Sequence, residues 1–170
     1  MLWHPELKDL QAELDEIYKL VELFLRNSDN NMSWLISWAN QTLLNEDFKL
    51  EDYWSGSGSQ VEAIQVDPAY TLAGKELIDS FLQSIYLRHN YESGSSRQEL
   101  EQYKKNFQEY YKTKYLRRWE NMALSLHSGK KLLRGQQEWL AEVHTLAVPG
   151  RSPFTKLLRD MEQQLTPFKD

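Results

Sequence analysis

The stretch Glu109-Tyr-Tyr-Lys-Thr-Lys-Tyr-Leu-Arg-Arg-Trp-Glu-Asn-Met122 decides how this chain is read. Within it Tyr111, Tyr115 and Trp119 recur at four-residue spacing. On an α-helix a step of four residues rotates by about 40°, so the three rings form a slowly turning ridge on one face. Such a ridge packs against another element or a partner and performs no chemistry itself. The stretch therefore predicts a structural helical protein. Trp119 is expected to face the core, with Tyr111 and the basic residues beside it forming an edge open to a partner.

The helix that carries the ridge extends in both directions. Ser96-Arg-Gln-Glu99 has the spacing of a capping box, with Ser and Glu three apart. It predicts the longest helix, about Arg97 to Leu126, with a stripe of Leu100, Tyr103, Phe107, Tyr110 or Tyr111, Tyr115, Trp119, Met122 and Leu126. Gly129 is a natural stop. Further on, a helix is predicted from about Gln136 to Ala147, and Pro149-Gly150 breaks the chain. Ser152-Pro153, a cap followed by a first-turn proline, opens a last helix to about Leu165, and Thr166-Pro167 ends it.

Toward the N-terminus three more helices are predicted. Pro5 to about Arg26 carries an apolar face of Leu7, Leu10, Leu14, Ile17, Val21 and Phe24. Ser33 caps a second, running to about Asn45, and Thr71 a third, about Leu72 to His89, with Leu77, Ile78, Phe81, Leu82 and Ile85 as its buried stripe. Between them, residues 46–70 read as one irregular stretch. It holds a flexible connection, Ser55-Gly-Ser-Gly-Ser59, and a short extended piece, Val61–Val66, with no obvious pairing strand. The fold class is all-α, a bundle of about six helices in a single domain spanning residues 1–170, with a possible subdivision near 55–66.

Composition narrows the function classes. The 170 residues carry a net charge of −5, which disfavours a dedicated nucleic-acid binder. There are no cysteines, which excludes a disulfide scaffold, a zinc–thiolate site and a cysteine nucleophile. Mean hydropathy is −0.68, and no stretch approaches the roughly 18 consecutive apolar residues of a membrane span. The N-terminus lacks the basic flank and apolar core of a signal peptide, so a domain working outside the cytoplasm is expected to be part of a longer chain.

The search for chemistry returns little. His4, His89, His127 and His144 form no pair at i, i+4, and no metal site is expected. The glycine-serine run lacks phosphate-loop spacing, as does Gly129-Lys-Lys131, so no nucleotide or other cofactor is expected. There is no Gly-x-Ser-x-Gly elbow. The acidic pairs Asp15-Glu16, Glu46-Asp47 and Glu51-Asp52 read as solvated surface. Lys112, Lys114, Arg117 and Arg118 flank the ridge; interleaved with rings they suit stacking on single-stranded nucleic acid, but a charged edge beside buried rings is the favoured reading. The expectation is a non-enzyme.

Four segments, in order, resemble the IcmF/TssM family of bacterial secretion systems, in the IcmF-related region. They are Trp34 through Leu50-Glu-Asp-Tyr-Trp54, Val66-Asp-Pro-Ala-Tyr-Thr-Leu-Ala-Gly74, Tyr111-x3-Tyr115-x3-Trp119, and Leu146 to Leu158 with Ser152-Pro153-Phe154 followed by Leu157-Leu158. They span about residues 34–165. Two departures stand out: Asp67 displaces the family's Val-Pro pair by one, and Phe154 replaces the usual leucine. The resemblance marks Tyr70, Thr71, Gly74, Ser152 and Pro153 as structural motif positions beside Tyr111, Tyr115 and Trp119, and it contributes no catalytic residue.

The resemblance implies a periplasmic piece of a large bacterial inner-membrane protein, a scaffold of the type VI membrane complex or of the type IVB (Dot/Icm) apparatus. Implied partners are a DotU/TssL-like inner-membrane protein, further parts of its own chain, and self-association. No nucleic acid and no membrane insertion by this segment are implied. The outer-membrane lipoprotein contact belongs to a β-rich region elsewhere in the family chain. Two other classes remain open at this point: a nucleotide-dependent regulator, whose Walker motif is absent here, and a helical adaptor unrelated to secretion.

Overall fold

The computed structural model describes residues 32–58, 64–89 and 95–169. Among them are five α-helices, α1 (Trp34–Thr42), α2 (Leu72–His89), α3 (Ser95–Ser125), α4 (Gly135–Ala147) and α5 (Pro153–Gln164), with four short 3-10 segments and two short strands. The described residues are mostly helical, as the periodicity predicts, and they hold five α-helices. The helix expected over Pro5–Arg26 lies outside the described residues.

The helix ends show which local signals act. Ser152 Oγ accepts from the Thr155 amide, and Pro153 follows at the first helical position of α5. Thr71 Oγ1 accepts from the Gly74 amide at 3.2 Å and so caps α2. A second, distant group completes that cap: Leu72 N donates to the side-chain oxygen of Gln164 at 2.5 Å, from the far end of α5. Ser33 precedes α1 in helical backbone conformation and lends it no side-chain cap. The helix stops at Thr42, short of the expected Asn45, which sits at φ +69°. The α-helical part of α3 ends at Ser125 and tightens into a 3-10 segment, Leu126–Leu132, around Gly129.

The irregular stretch is more ordered than its sequence suggests. Strands β1 (Phe48–Lys49) and β2 (Gln65–Val66) pair antiparallel, Phe48 opposite Val66 and Lys49 opposite Gln65. The extended piece Val61–Val66 is expected to lack a pairing strand; its described end, Gln65–Val66, pairs with Phe48–Lys49, hidden in the sequence because it is only two residues long. Leu50 N extends the pairing to Ile64 O at 3.1 Å. The loop between is thereby closed at its base.

The core gathers along α3. Phe107, Tyr111, Tyr115, Trp119, Met122 and Leu126 are all buried, so the four-residue ridge extends from Phe107 to Trp119 before its step shortens to three. Packed around it are Leu35 and Ala39 of α1, Ile78, Leu82 and Ile85 of α2, Leu157 of α5, and Leu50, Tyr53, Val66, Ala69 and Tyr70 of the closed loop. Trp34 and Trp38 of α1 clasp Phe81 of α2, ring centroids 5.6 and 5.0 Å apart.

Candidate functional site

The ridge and its motif neighbours form one interlocked cluster. Tyr111, Tyr115 and Trp119 are 4%, 0% and 0% exposed. A ring so buried carries a polar group that must find a partner. Each does, and each partner is a backbone carbonyl distant in sequence. Tyr111 Oη donates to Ala69 O. Tyr115 Oη donates to Gln164 O at 2.8 Å. Trp119 Nε1 donates to Tyr70 O at 2.9 Å. Trp119 faces the core as expected. Tyr111 does not form the partner edge foreseen for it: its hydroxyl reaches inward to the 3-10 turn Pro68–Tyr70, and its ring stacks on Phe107 and Tyr70 at 5.6 and 5.9 Å.

Burial removes water from the tyrosine hydroxyls and so disfavours phenolate. Burial raises the pKa of Tyr111, and Tyr115, Asp79 and Tyr70 reinforce the shift. Tyr115 is raised by burial, against a hydrogen bond with Trp119 that lowers it. These rings are neutral structural donors.

The other motif positions serve the same junction. Tyr70 is buried, and its ring meets Tyr111 and Tyr115 at 5.9 and 6.4 Å. Gly74 admits the backbone of the preceding turn: a Cβ there would lie 2.2 Å from Pro68 O and 2.7 Å from Ala69 Cα. Asn40 Oδ1 accepts from Ala69 N at 2.7 Å, tying the same turn to α1. Ser152 and Pro153 lie apart from it, at the start of α5, with Pro153 buried. The sequence reading missed Asn40 and Gln164; nothing in their local pattern announces that they serve a turn 29 and 92 residues away.

The basic cluster is largely occupied within the fold. Arg118 pairs with Asp67 at 3.4 Å and lies 5.6 Å over the Tyr70 ring. Lys112 lies 5.8 Å over Phe168 and Lys114 5.5 Å over Tyr110. The ridge rings themselves lie inside the fold, away from solvent.

The glycine-serine run departs from the flexible connection its composition predicts. Residues 55–58 form a docked strap rather than a loose connection. Gly58 N donates to Leu132 O at 2.8 Å, and a Cβ on Gly56 would meet that same oxygen at 2.3 Å. Ser55 Oγ donates to Glu142 Oε2 at 2.5 Å and Ser57 Oγ to Glu138 Oε1 at 2.6 Å. The Ser57 hydroxyl and the Arg134 amide, both bonding to the Glu138 carboxylate, hold its pKa below the ordinary value. Glu142 is 1% exposed, and its other oxygen meets no hydrogen-bond donor among the described residues. Behind the strap, Trp54 Nε1 donates to Leu126 O at 3.0 Å, its indole lying against Gly129.

A cavity of 380 Å³ opens between the closed loop and α5, lined by Asp47, Phe48, Asp52, Tyr53, Lys156, Arg159 and Asp160. Two of its carboxylates are engaged: Asp47 pairs with Lys49 at 3.0 Å, and Asp52 accepts from Lys49 N at 2.6 Å. Burial, followed by the nearby Asp160 carboxylate, raises the pKa of Tyr53. Among the described residues no group of three or more His, Asp or Glu side chains could hold a metal ion, and no helix is long and apolar enough to cross a membrane.

Comparison with known protein families, curated proteins and solved structures finds no match for this chain. The likeness to the IcmF/TssM family rests on its four sequence segments.

Proposed function

We propose that this chain is a non-enzymatic helical scaffold domain of a bacterial secretion-system inner-membrane complex, of type VI or type IVB, acting on the periplasmic side through helix packing and protein–protein contacts. One observation carries the reading. Two segments that bear the resemblance, Val66–Gly74 and Tyr111–Trp119, meet through their motif residues: Trp119 and Tyr111 donate to the carbonyls of Tyr70 and Ala69, and the Tyr70 ring packs against Tyr111 and Tyr115. The spacing that defines the likeness is thus the spacing that builds the junction. All of the polar groups involved are consumed in holding helices together, which suits a part that transmits position rather than one that turns over a substrate.

Photoreactive residues placed on the exposed positions of α3, such as Lys105, Glu109 and Arg117, test the reading in intact bacteria. The expected products are crosslinks to a DotU/TssL-like inner-membrane protein, to other parts of the same long chain, or to a second copy. Crosslinks confined to proteins with no role in secretion assign the chain to an unrelated adaptor. Saturable ATP or GTP binding by the purified chain identifies a nucleotide-dependent regulator instead.

A further inference from the structure

Helix α4 is built inside out. Its single buried side chain is Glu142, while Trp139, Leu140, Val143 and Leu146 are 45%, 54%, 54% and 43% exposed. At 100° per residue these four fall within about 120° of arc, an apolar sector turned to solvent whose one polar member is Gln136, in the first turn. The two carboxylates of α4, Glu138 and Glu142, are turned to the strap serines and leave that sector free of negative charge. Val148, directly after the helix, is 41% exposed as well.

The ends of this face are cationic. Lys130 and Lys131 stand exposed in the 3-10 segment before α4, and Arg151 stands exposed in the turn after it. None of the three enters an ion pair among the described residues. Residues 130–158 hold five basic residues against two acidic ones, in a chain whose net charge is −5. Two copies meeting through this face would bring like charges together. An apolar helical sector with a tryptophan in it and cations at its ends instead has the character of a helix that lies in the plane of a membrane interface.

We propose that the α4 face, with Val148 at its end, docks on the surface of an anionic lipid bilayer. Leu140 and Val143 enter the acyl boundary, Trp139 sits at headgroup depth, and Lys130, Lys131 and Arg151 meet lipid phosphates. The contact is peripheral and crosses nothing. It rests on the surface alone and does not depend on the scaffold reading.

The test is sedimentation of the purified chain with phosphatidylcholine vesicles, with and without phosphatidylglycerol. The expected result is binding only to the anionic vesicles, weakening as salt is raised. Because Leu140 and Val143 are exposed, L140D/V143D is expected to keep the wild-type melting temperature and to lose binding at least tenfold. The triple variant K130Q/K131Q/R151Q is expected to lower anionic binding by a similar factor. Absence of binding to anionic vesicles overturns the proposal, as does binding that L140D/V143D leaves intact. A concentration-dependent dimer abolished by L140D/V143D assigns the face to a second copy and overturns it too. So does tight capture, without vesicle binding, of a synthetic amphipathic helix of leucine and glutamate.

Discussion

Trp119 holds Tyr70 by its backbone: the indole Nε1 donates to the Tyr70 carbonyl at 2.9 Å, while Arg118, the residue before Trp119, lies 5.6 Å over the Tyr70 ring. The link spans 49 residues of sequence and fastens the 3-10 turn Pro68–Tyr70 to the C-terminal third of α3. The same turn is held by Tyr111 and Asn40, so three side chains from two helices converge on it.

Trp119→Ala is expected to lower stability by about 3–5 kcal/mol, since the ring is fully buried and leaves a large cavity. Trp119→Phe is expected to cost less, about 1–3 kcal/mol, chiefly because the Tyr70 carbonyl loses its donor. Urea unfolding of the two variants checks both numbers and their order. An unchanged midpoint for Trp119→Ala contradicts the packing described.

Gly74→Ala places a methyl group 2.2 Å from Pro68 O, a backbone atom of a turn already fixed from three sides. Although alanine is the better helix former, the substitution is expected to destabilise by about 1–3 kcal/mol. A raised melting temperature would show that the turn yields.

Ser55 and Glu142 separate two costs. Ser55→Ala strands a buried carboxylate without its hydroxyl donor and is expected to lower stability by about 1–3 kcal/mol. Glu142→Leu removes the carboxylate altogether and is expected to be neutral or stabilising, because a buried charge with one unpaired oxygen is replaced by an apolar group of similar size. In the double variant the Ser55→Ala penalty is expected largely to vanish, which a double-mutant cycle measures.

Tyr53, Tyr111 and Tyr115 have pKa values raised by burial above the tyrosine value of about 10. A raised folded-state pKa favours the protonated form in the native protein. Its contribution is therefore complete below about pH 10 and is lost as pH climbs from there toward the folded-state values. The chain is expected to show a flat urea midpoint near neutrality and a falling one above about pH 10. Phenolate absorbance is expected to rise in two phases, accessible tyrosines first and the buried set together with unfolding. A single phase centred near pH 10 with the fold retained refutes the burial.

The legible part of this fold was local. The four-residue aromatic step placed α3 and its inner face, Ser152-Pro153 placed the start of α5, and Thr71 the start of α2. What escaped was non-local. Two-residue strands carry no period of their own, so the pairing of Phe48 with Val66 is invisible until the chain is folded. The strap reads as a linker because glycine serves flexibility and close approach equally well; only Leu132 and the two carboxylates of α4 decide between them. Tyr111 was misread as an edge because its neighbours Lys112 and Lys114 suggest solvent, whereas a helix can bury one position and expose the next.

The junction at Tyr70 also sets a timetable. Strand β2 and the turn Pro68–Tyr70 come off the ribosome first but complete their contacts on α3, and the Tyr70–Trp119 link alone waits for 49 further residues. At about 5–20 residues per second that is a delay of roughly 2–10 seconds. For that interval Val66, Ala69 and Tyr70 have no α3 to cover them, so during synthesis the nascent chain exposes an apolar surface that the finished protein hides.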